Sequence, residues 1–348
     1  MTEWASPRET AVLIGHEAAE QAFLDAYNGG RMAHAWLICG PKGVGKATLA
    51  FRMARFLLSQ GEEVQGGGLF GEALPPMIPE SLHMDPEDPL FHRVAAGAHG
   101  DLLVVEKEIN QRSGKLRDEI VVDNVRGVGS FMSQTAREGG WRVVIVDAAD
   151  EMNRNAANSL LKVLEEPPRR AILLLVAHFP GRLLPTIRSR CRKLTLQPLD
   201  DSIILDLLLK QMPDLSSEES RTLVALAEGS AARALTLAAE GGLELGQGLL
   251  AILDGLPDLD LPNLHKLADS LVKAGAGDRF GVACDMVRWW LSRRVRQAAL
   301  SGKGGALDPW LQVWEKTDDL LARAAGLDLD RKQVFLTLLL TLQGAART

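Results

Sequence analysis

Cysteine is scarce in this chain. Its three cysteines, Cys39, Cys191 and Cys284, lie far apart with no CxxC pair, which excludes a disulfide framework and a thiolate zinc module. Cys39 and Cys284 sit in apolar surroundings and read as buried, reduced thiols. A basic excess is also missing. Lys and Arg number 39 against 45 Asp and Glu, a formal net charge of −6, so the chain does not coat nucleic acid over its whole surface. No basic stripe interleaved with aromatics is present, and the basic stretches around 182–193 and 293–296 suit interfaces instead. Long apolar runs are absent too. Val334 to Leu342 is the longest, interrupted by Thr337 and Thr341, and it is far short of a membrane span. The opening MTEWASPRET has neither a basic n-region nor an apolar h-region, so a cytoplasmic protein without a membrane partner is expected.

What is present is enough for two or three domains, each with its own core: 348 residues, of which 46% are hydrophobic and 24% charged. AWLIC (35–39), DLLVVE (101–106), WRVVIVD (141–147) and AILLLVAH (171–178) are short apolar runs of the kind that form buried parallel strands. Helical segments alternate with them, including ATLAFRMARFLL after the first strand and NAANSLLKVLEE, which stops at Pro167-Pro168. VVDNVRGVGSFMSQTA (121–136) reads as a helix opened by Asp123. This order predicts an open α/β sheet with right-handed crossovers. Residues 60–100, dense in Gly, Pro and acids, read as an irregular excursion. Its His83, His92 and His99 are irregularly spaced and are not read as ligands, and no metal site is expected.

Beyond about residue 200 only short amphipathic helices follow, with GGALDP (304–309) separating two of them. The expected division is an α/β domain over 1–198, a small helical domain over 199–243 and an all-helical domain over 244–348. Trp289 and Trp290 in RWWLSRR read equally as anchors for a partner and as internal core.

The densest chemistry lies at Gly40-Pro41-Lys42-Gly43-Val44-Gly45-Lys46, the first seven positions of a GxxxxGK[ST] phosphate loop, set between a strand and a helix. Glycines there let backbone N–H groups wrap phosphate oxygens at a helix N-terminus, and the lysine reaches the outer phosphates. The next residue, however, is Ala47, so the hydroxyl that ligates Mg²⁺ is missing. Thr48 follows one residue later, a rotation of roughly 100° around the helix. The strand that should supply the other half of the site ends in Asp147, but Ala148 stands where a water-orienting glutamate belongs. Asp150 and Glu151 read as solvated or capping residues. Metal binding and water positioning are both lost, so intrinsic ATP hydrolysis is expected to be negligible. No cofactor is required, and weak ATP or ADP binding is the most the loop would retain.

Ser189-Arg190-Cys191 makes the pattern specific. With GPKGVGK, LLKVLEEPP and EGGWRVVIVD, the segment TIRSRC resembles the clamp-loader family of AAA+ proteins, strongly over 11–58 and 99–200. Taken alone, Arg190 is an ordinary arginine in a basic stretch. The resemblance implies instead that it is an arginine finger, presented in trans to ATP on a neighbouring subunit. It also implies a RecA-like AAA+ α/β domain, a helical lid and an all-α collar. Two further positions depart from the family's motor subunits: Ala177-His178 replaces the polar γ-phosphate sensor, and Ala232 stands at the sensor arginine, with Arg233 shifted by one as a solvated helix residue.

The partners implied are the gamma/tau motor subunits and the delta subunit in a hetero-oligomer, with the sliding clamp and primed DNA reached through the complex. A decayed ATP site beside an intact finger points to a non-hydrolysing stator. The alternatives are a gamma/tau-like ATPase with an atypical site and a binding module of a different AAA+ machine.

Overall fold

The computed structural model describes residues 5–61, 78–109, 114, 117–138, 140–239, 242–273, 279–300, 304–327 and 329–347. By internal contact the chain divides into two compact units, Glu3–Ile203 with Glu228–Ala232, and Ile204–Ala227 with Arg233–Thr348.

In the first unit the elements run α1 (Glu17–Asn28), β1 (Ala35–Cys39), α2 (Lys46–Ser59), α3 (Pro89–Ala95), β2 (Leu102–Glu106), α4 (Val122–Ser133), β3 (Arg142–Asp147), α5 (Arg154–Glu165), β4 (Ala171–Ala177), α6 (Pro185–Arg188) and β5 (Arg192–Thr195). The strands form one parallel sheet in the order β2-β3-β4-β1-β5. The central strands are buried on both faces, which is why they read as unbroken apolar runs.

Their side chains alternate between two cores. Trp36, Ile38, Val143, Ile145, Ile172 and Leu174 pack with Phe23, Leu49, Met53 and Leu57 from α1 and α2. Leu37, Val144, Val146, Leu173 and Leu175 pack on the opposite face with Val125, Val128, Leu160 and Leu164 from α4 and α5. All strands point their C-terminal ends the same way; the loop after β1 and Asp147 lie at that end, whereas Ser189, Arg190 and Cys191 precede β5 and lie at the opposite, N-terminal end.

Two local expectations change, and one strand was not read from the sequence. The excursion contains a helix, α3, opened by Asp88, whose carboxylate accepts from the Leu90 N–H, and by Pro89 in the first turn. The Asp-Pro pair was a legible start signal in a segment otherwise read as irregular; residues 62–77 lie outside the described residues. Asp123 does not cap α4. It sits exposed in the first turn and pairs with Arg126 at 3.4 Å, while the Asn124 side chain accepts from the Val121 N–H. The charged strand β5 carries no apolar signature because it lies at the sheet edge, bonded only to β1.

The second unit is helical. It contains the greater part of α7 (Asp201–Gln211), α8 (Ser217–Ala227), most of α9 (Ala231–Ala238), α10 (Gly242–Asp254), α11 (Leu261–Leu271), α12 (Arg279–Leu300), α13 (Gly304–Leu327) and α14 (Arg331–Ala346). The stretch 304–309 is not a separator: it forms the opening of α13, with Pro309 accommodated in its early turns. Trp289 and Trp290 are 7% and 4% exposed, and the Trp290 indole N–H donates to Asp254 at 3.1 Å. Of their two readings the structure supports internal core, because nearly all of their contact area is already covered. Arg233 is half-buried, with its guanidinium 5.5 Å over the Trp289 ring. No helix among the described residues is long and apolar enough to cross a membrane.

Candidate nucleotide loop and arginine-finger segment

The loop after β1 has the backbone its sequence requires. Gly43 and Gly45 adopt φ of +80° and +105°, conformations that L side chains rarely take. Gly45 is the N-cap of α2, so the helix starts at Lys46 with its first N–H groups facing the loop. Gly40 also lies close to its surroundings, since a Cβ there would meet the Leu196 carbonyl oxygen at 2.5 Å.

The lysine, however, is turned onto its own loop. Lys46 Nζ donates to the Gly40 carbonyl at 2.7 Å and the Pro41 carbonyl at 2.5 Å, and the residue is only 3% exposed. Burial brings its ammonium down to about 8, with Asp147 and Asp150 opposing the shift. Ala47 supplies no hydroxyl, and Thr48 is half-buried in the first turn of α2.

Two contacts close the loop from outside. His16, buried ahead of α1, places Nε2 2.7 Å from the Val44 carbonyl, so that nitrogen carries the proton it donates. The short segment 228–232 returns to the loop: the Ser230 hydroxyl donates to the Lys42 carbonyl at 3.0 Å, and the Ala232 N–H to the Gly43 carbonyl at 3.1 Å. A Cβ at Gly43 would meet Ser230 and Ala232, the latter at 2.9 Å. Ala232, which the resemblance aligns with the motors' sensor arginine, is exposed and meets the loop through its backbone N–H and its Cβ beside Gly43. Sequence reading missed His16 and Ser230, and no local pattern marks either one.

At the end of β3 the Asp147 carboxyl is pushed up to about 6 by burial, with Lys46 opposing and Glu106, Glu151 and Asp150 adding to the rise. Ala148 is 3% exposed, and its methyl has no group that could orient a water. Asp150, half-buried, is the capping residue its sequence reading allowed. Its two carboxylate oxygens accept from the backbone N–H groups of His178 and Phe179 at 2.9 and 2.8 Å, capping the end of β4. Glu151 pairs with Lys107 at 2.9 Å. Burial, helped by Lys46, brings His178 down to about 4, so it is neutral at physiological pH.

The raised Asp147 value has a measurable sign. The native carboxyl keeps its proton to higher pH than the unfolded one, so this group makes stability fall as pH rises between about 4 and 6. Asp147→Asn is expected to remove that fall, a difference of up to about 3 kcal/mol. Urea unfolding of both proteins at several pH values across the window checks it, and parallel curves would count against the burial described for this carboxyl.

The Ser189-Arg190-Cys191 segment lies on the same unit. Ile187 is fully buried and anchors α6, and the Ser189 hydroxyl donates to the Thr186 carbonyl at 3.1 Å. Arg190 follows at the surface, its side chain 36% exposed. Nη1 donates to the Thr186 carbonyl at 3.1 Å and Nη2 to Glu165 at 3.0 Å. Cys191 is half-buried, and burial pushes its thiol up to about 12, so it is neither a nucleophile nor a ligand at neutral pH. Among the described residues no group of three or more His, Cys, Asp or Glu side chains is placed to hold a metal ion. At the loop stand Ala47 and buried Ala148, and the same unit carries the Arg190 guanidinium at its surface.

Residues 83–200 match the family described as "DNA polymerase III, delta subunit". The chain is 39% identical to the DNA polymerase III subunit delta' of Pseudomonas aeruginosa over 61% of this chain and 58% of that protein. It is 33% identical to the subunit of the same name from Bacillus subtilis over 56% of this chain and 50% of the relative. Against the Escherichia coli subunit delta' the identity is 32%, over 61% and 56%. The chain thus matches only 50–58% of the length of these relatives. Over this matched region the chain is similar to the DNA polymerase III subunit delta' proteins.

Proposed function

We propose that this chain is a delta-prime-like subunit of the DNA polymerase III clamp loader, a stator that does not turn over ATP and donates Arg190 to the ATP of a neighbouring motor subunit. The observation that carries the reading is a single contrast. The chain's own loop has Lys46 bonded to its own carbonyls and alanines at 47 and 148, while Arg190 stands at the surface of the same unit.

In this reading the phosphate loop is a folding element. Its lysine already has acceptors, and segment 228–232 supplies a donor to the Gly43 carbonyl and packs against that residue. Weak ATP or ADP binding would require Lys46 to leave the Gly40 and Pro41 carbonyls, and no cofactor is needed for the subunit to act. Hydrolysis chemistry belongs to the motor. There a guanidinium delivered in trans neutralises charge on the transferred phosphoryl group, while Mg²⁺ and a positioned water act within the motor's own site.

The partners are the gamma/tau motor subunits and the delta subunit, with the sliding clamp and primed DNA engaged by the complex in the cytoplasm. The helical segments are assigned as a lid over 199–243 and a collar over 244–348, the collar packing against its counterparts. The test has two halves. The isolated chain should show no steady ATP turnover, and turnover abolished by Lys46→Ala would favour a gamma/tau-like ATPase instead. Within the assembled loader, Arg190→Ala should abolish hydrolysis at the adjacent site.

A further inference from the structure

Arg190 is held from two directions. The segment that carries it is fixed by buried Ile187, and the bond from Nη1 to the Thr186 carbonyl ties the guanidinium to its own backbone. The second bond crosses to a different element. Glu165 is the last residue of α5, a helix seated on the sheet through buried Leu160, Val163 and Leu164, so its position does not depend on the finger segment. Its Oε1 accepts from Nη2 at 3.0 Å.

A guanidinium has five N–H groups in one plane, so two fixed acceptors determine the direction of the other three. Here one proton on each terminal nitrogen and the Nε proton remain to be offered to an anion. The pair itself is exposed, 36% at Arg190 and 51% at Glu165, and pairs of that kind add little to stability. Its consequence is orientation. A long arginine side chain left to itself samples many rotamers, and each must be frozen out again when it meets a phosphoryl group.

We infer that Glu165 is a positioning residue for Arg190, acting as a hydrogen-bond acceptor that sets the guanidinium plane before the neighbouring subunit's nucleotide arrives. The assignment rests on the finger role proposed for Arg190. Glu165 touches no reacting atom. It acts through the arginine, and an incoming phosphate competes for the guanidinium against only one exposed carboxylate and one carbonyl.

The experiment is steady-state ATP hydrolysis by the assembled loader in which only the site facing this chain is competent, comparing wild type with Glu165→Ala, Glu165→Gln and Arg190→Ala. Glu165→Ala lowers kcat about tenfold, with KM and the thermal midpoint unchanged. Glu165→Gln keeps an amide oxygen that accepts from Nη2 and stays within about twofold of wild type. Full activity in Glu165→Ala beside an inactive Arg190→Ala overturns the positioning role and leaves the finger standing. A Glu165→Gln variant as impaired as Glu165→Ala also overturns it, as does a rise in KM without a fall in kcat. Hydrolysis unaffected by Arg190→Ala removes the finger and its positioning residue together.

Discussion

In a loader whose only competent ATP site faces this chain, Arg190→Ala is expected to lower turnover by about 10³-fold or more without loss of assembly. The size follows from what the guanidinium would do. Charge accumulates on the oxygens of the transferred phosphoryl group, and a cation already desolvated by the interface meets it without solvent having to reorganise. Lysine should not substitute, because a point ammonium cannot reproduce the planar fork that binds Thr186 and Glu165 on one side and leaves donors on another. Assembly should survive because a third of the side chain is exposed and Ile187 anchors the segment without it. The readout is single-site hydrolysis alongside size-exclusion chromatography of the complex. Unchanged turnover would reduce Arg190 to a surface residue and the subunit to a scaffold.

The second large effect concerns folding. Asp101→Ala is expected to lower the unfolding free energy by about 3–5 kcal/mol. Asp101 is 2% exposed, and its carboxylate accepts from the Arg137 N–H at 2.9 and 3.0 Å and from the Glu138 N–H at 3.1 Å. It also lies 3.6 Å from the guanidinium of Arg142, itself 3% exposed. Arg142 in turn donates to the Phe131 and Thr135 carbonyls, joining the end of α4 to the start of β3. Removing the carboxylate leaves a buried cation without its counter-charge and two N–H groups without an acceptor, each a cost water cannot offset in the interior. Asp101→Asn keeps one acceptor oxygen and should lose less. Denaturant unfolding followed by tryptophan fluorescence gives both values, and a loss below about 1 kcal/mol for the alanine variant would show that water or a shifted side chain satisfies the network.

Much of the architecture was legible because it is local. β1, β3 and β4 announce themselves as apolar runs, since strands covered on both faces have no polar side to show. Gly40 to Lys46 announces a phosphate loop, since its positive-φ positions admit little but glycine. Ala47 and Ala148 are legible as missing polar side chains by residue type alone. Ser189-Arg190-Cys191 stands out only beside those motifs.

What local patterns conceal falls into two kinds. Some elements carry weak signals for a physical reason: β5 is charged because it is an edge strand, and Pro309 stands inside α13 where a proline usually marks a boundary. The larger kind is partnership between residues distant in the chain. Nothing near Asp150 in the sequence says that its carboxylate caps the end of β4, and nothing near Ser230 says that it closes on Lys42.

The sequence by itself determined the α/β class of the sheet, the glycine-rich loop after β1 and the alanines at 47 and 148, because each depends on periodicity or on residue type at one position. Only the tertiary structure decided that Lys46 bonds to its own loop, that Trp289 and Trp290 face inward, and that Glu165 meets Arg190 across 25 residues of chain. Such contacts are pairwise properties of the folded path. A side chain's chemistry states what it can bind, and the packing of the surrounding elements states what it meets.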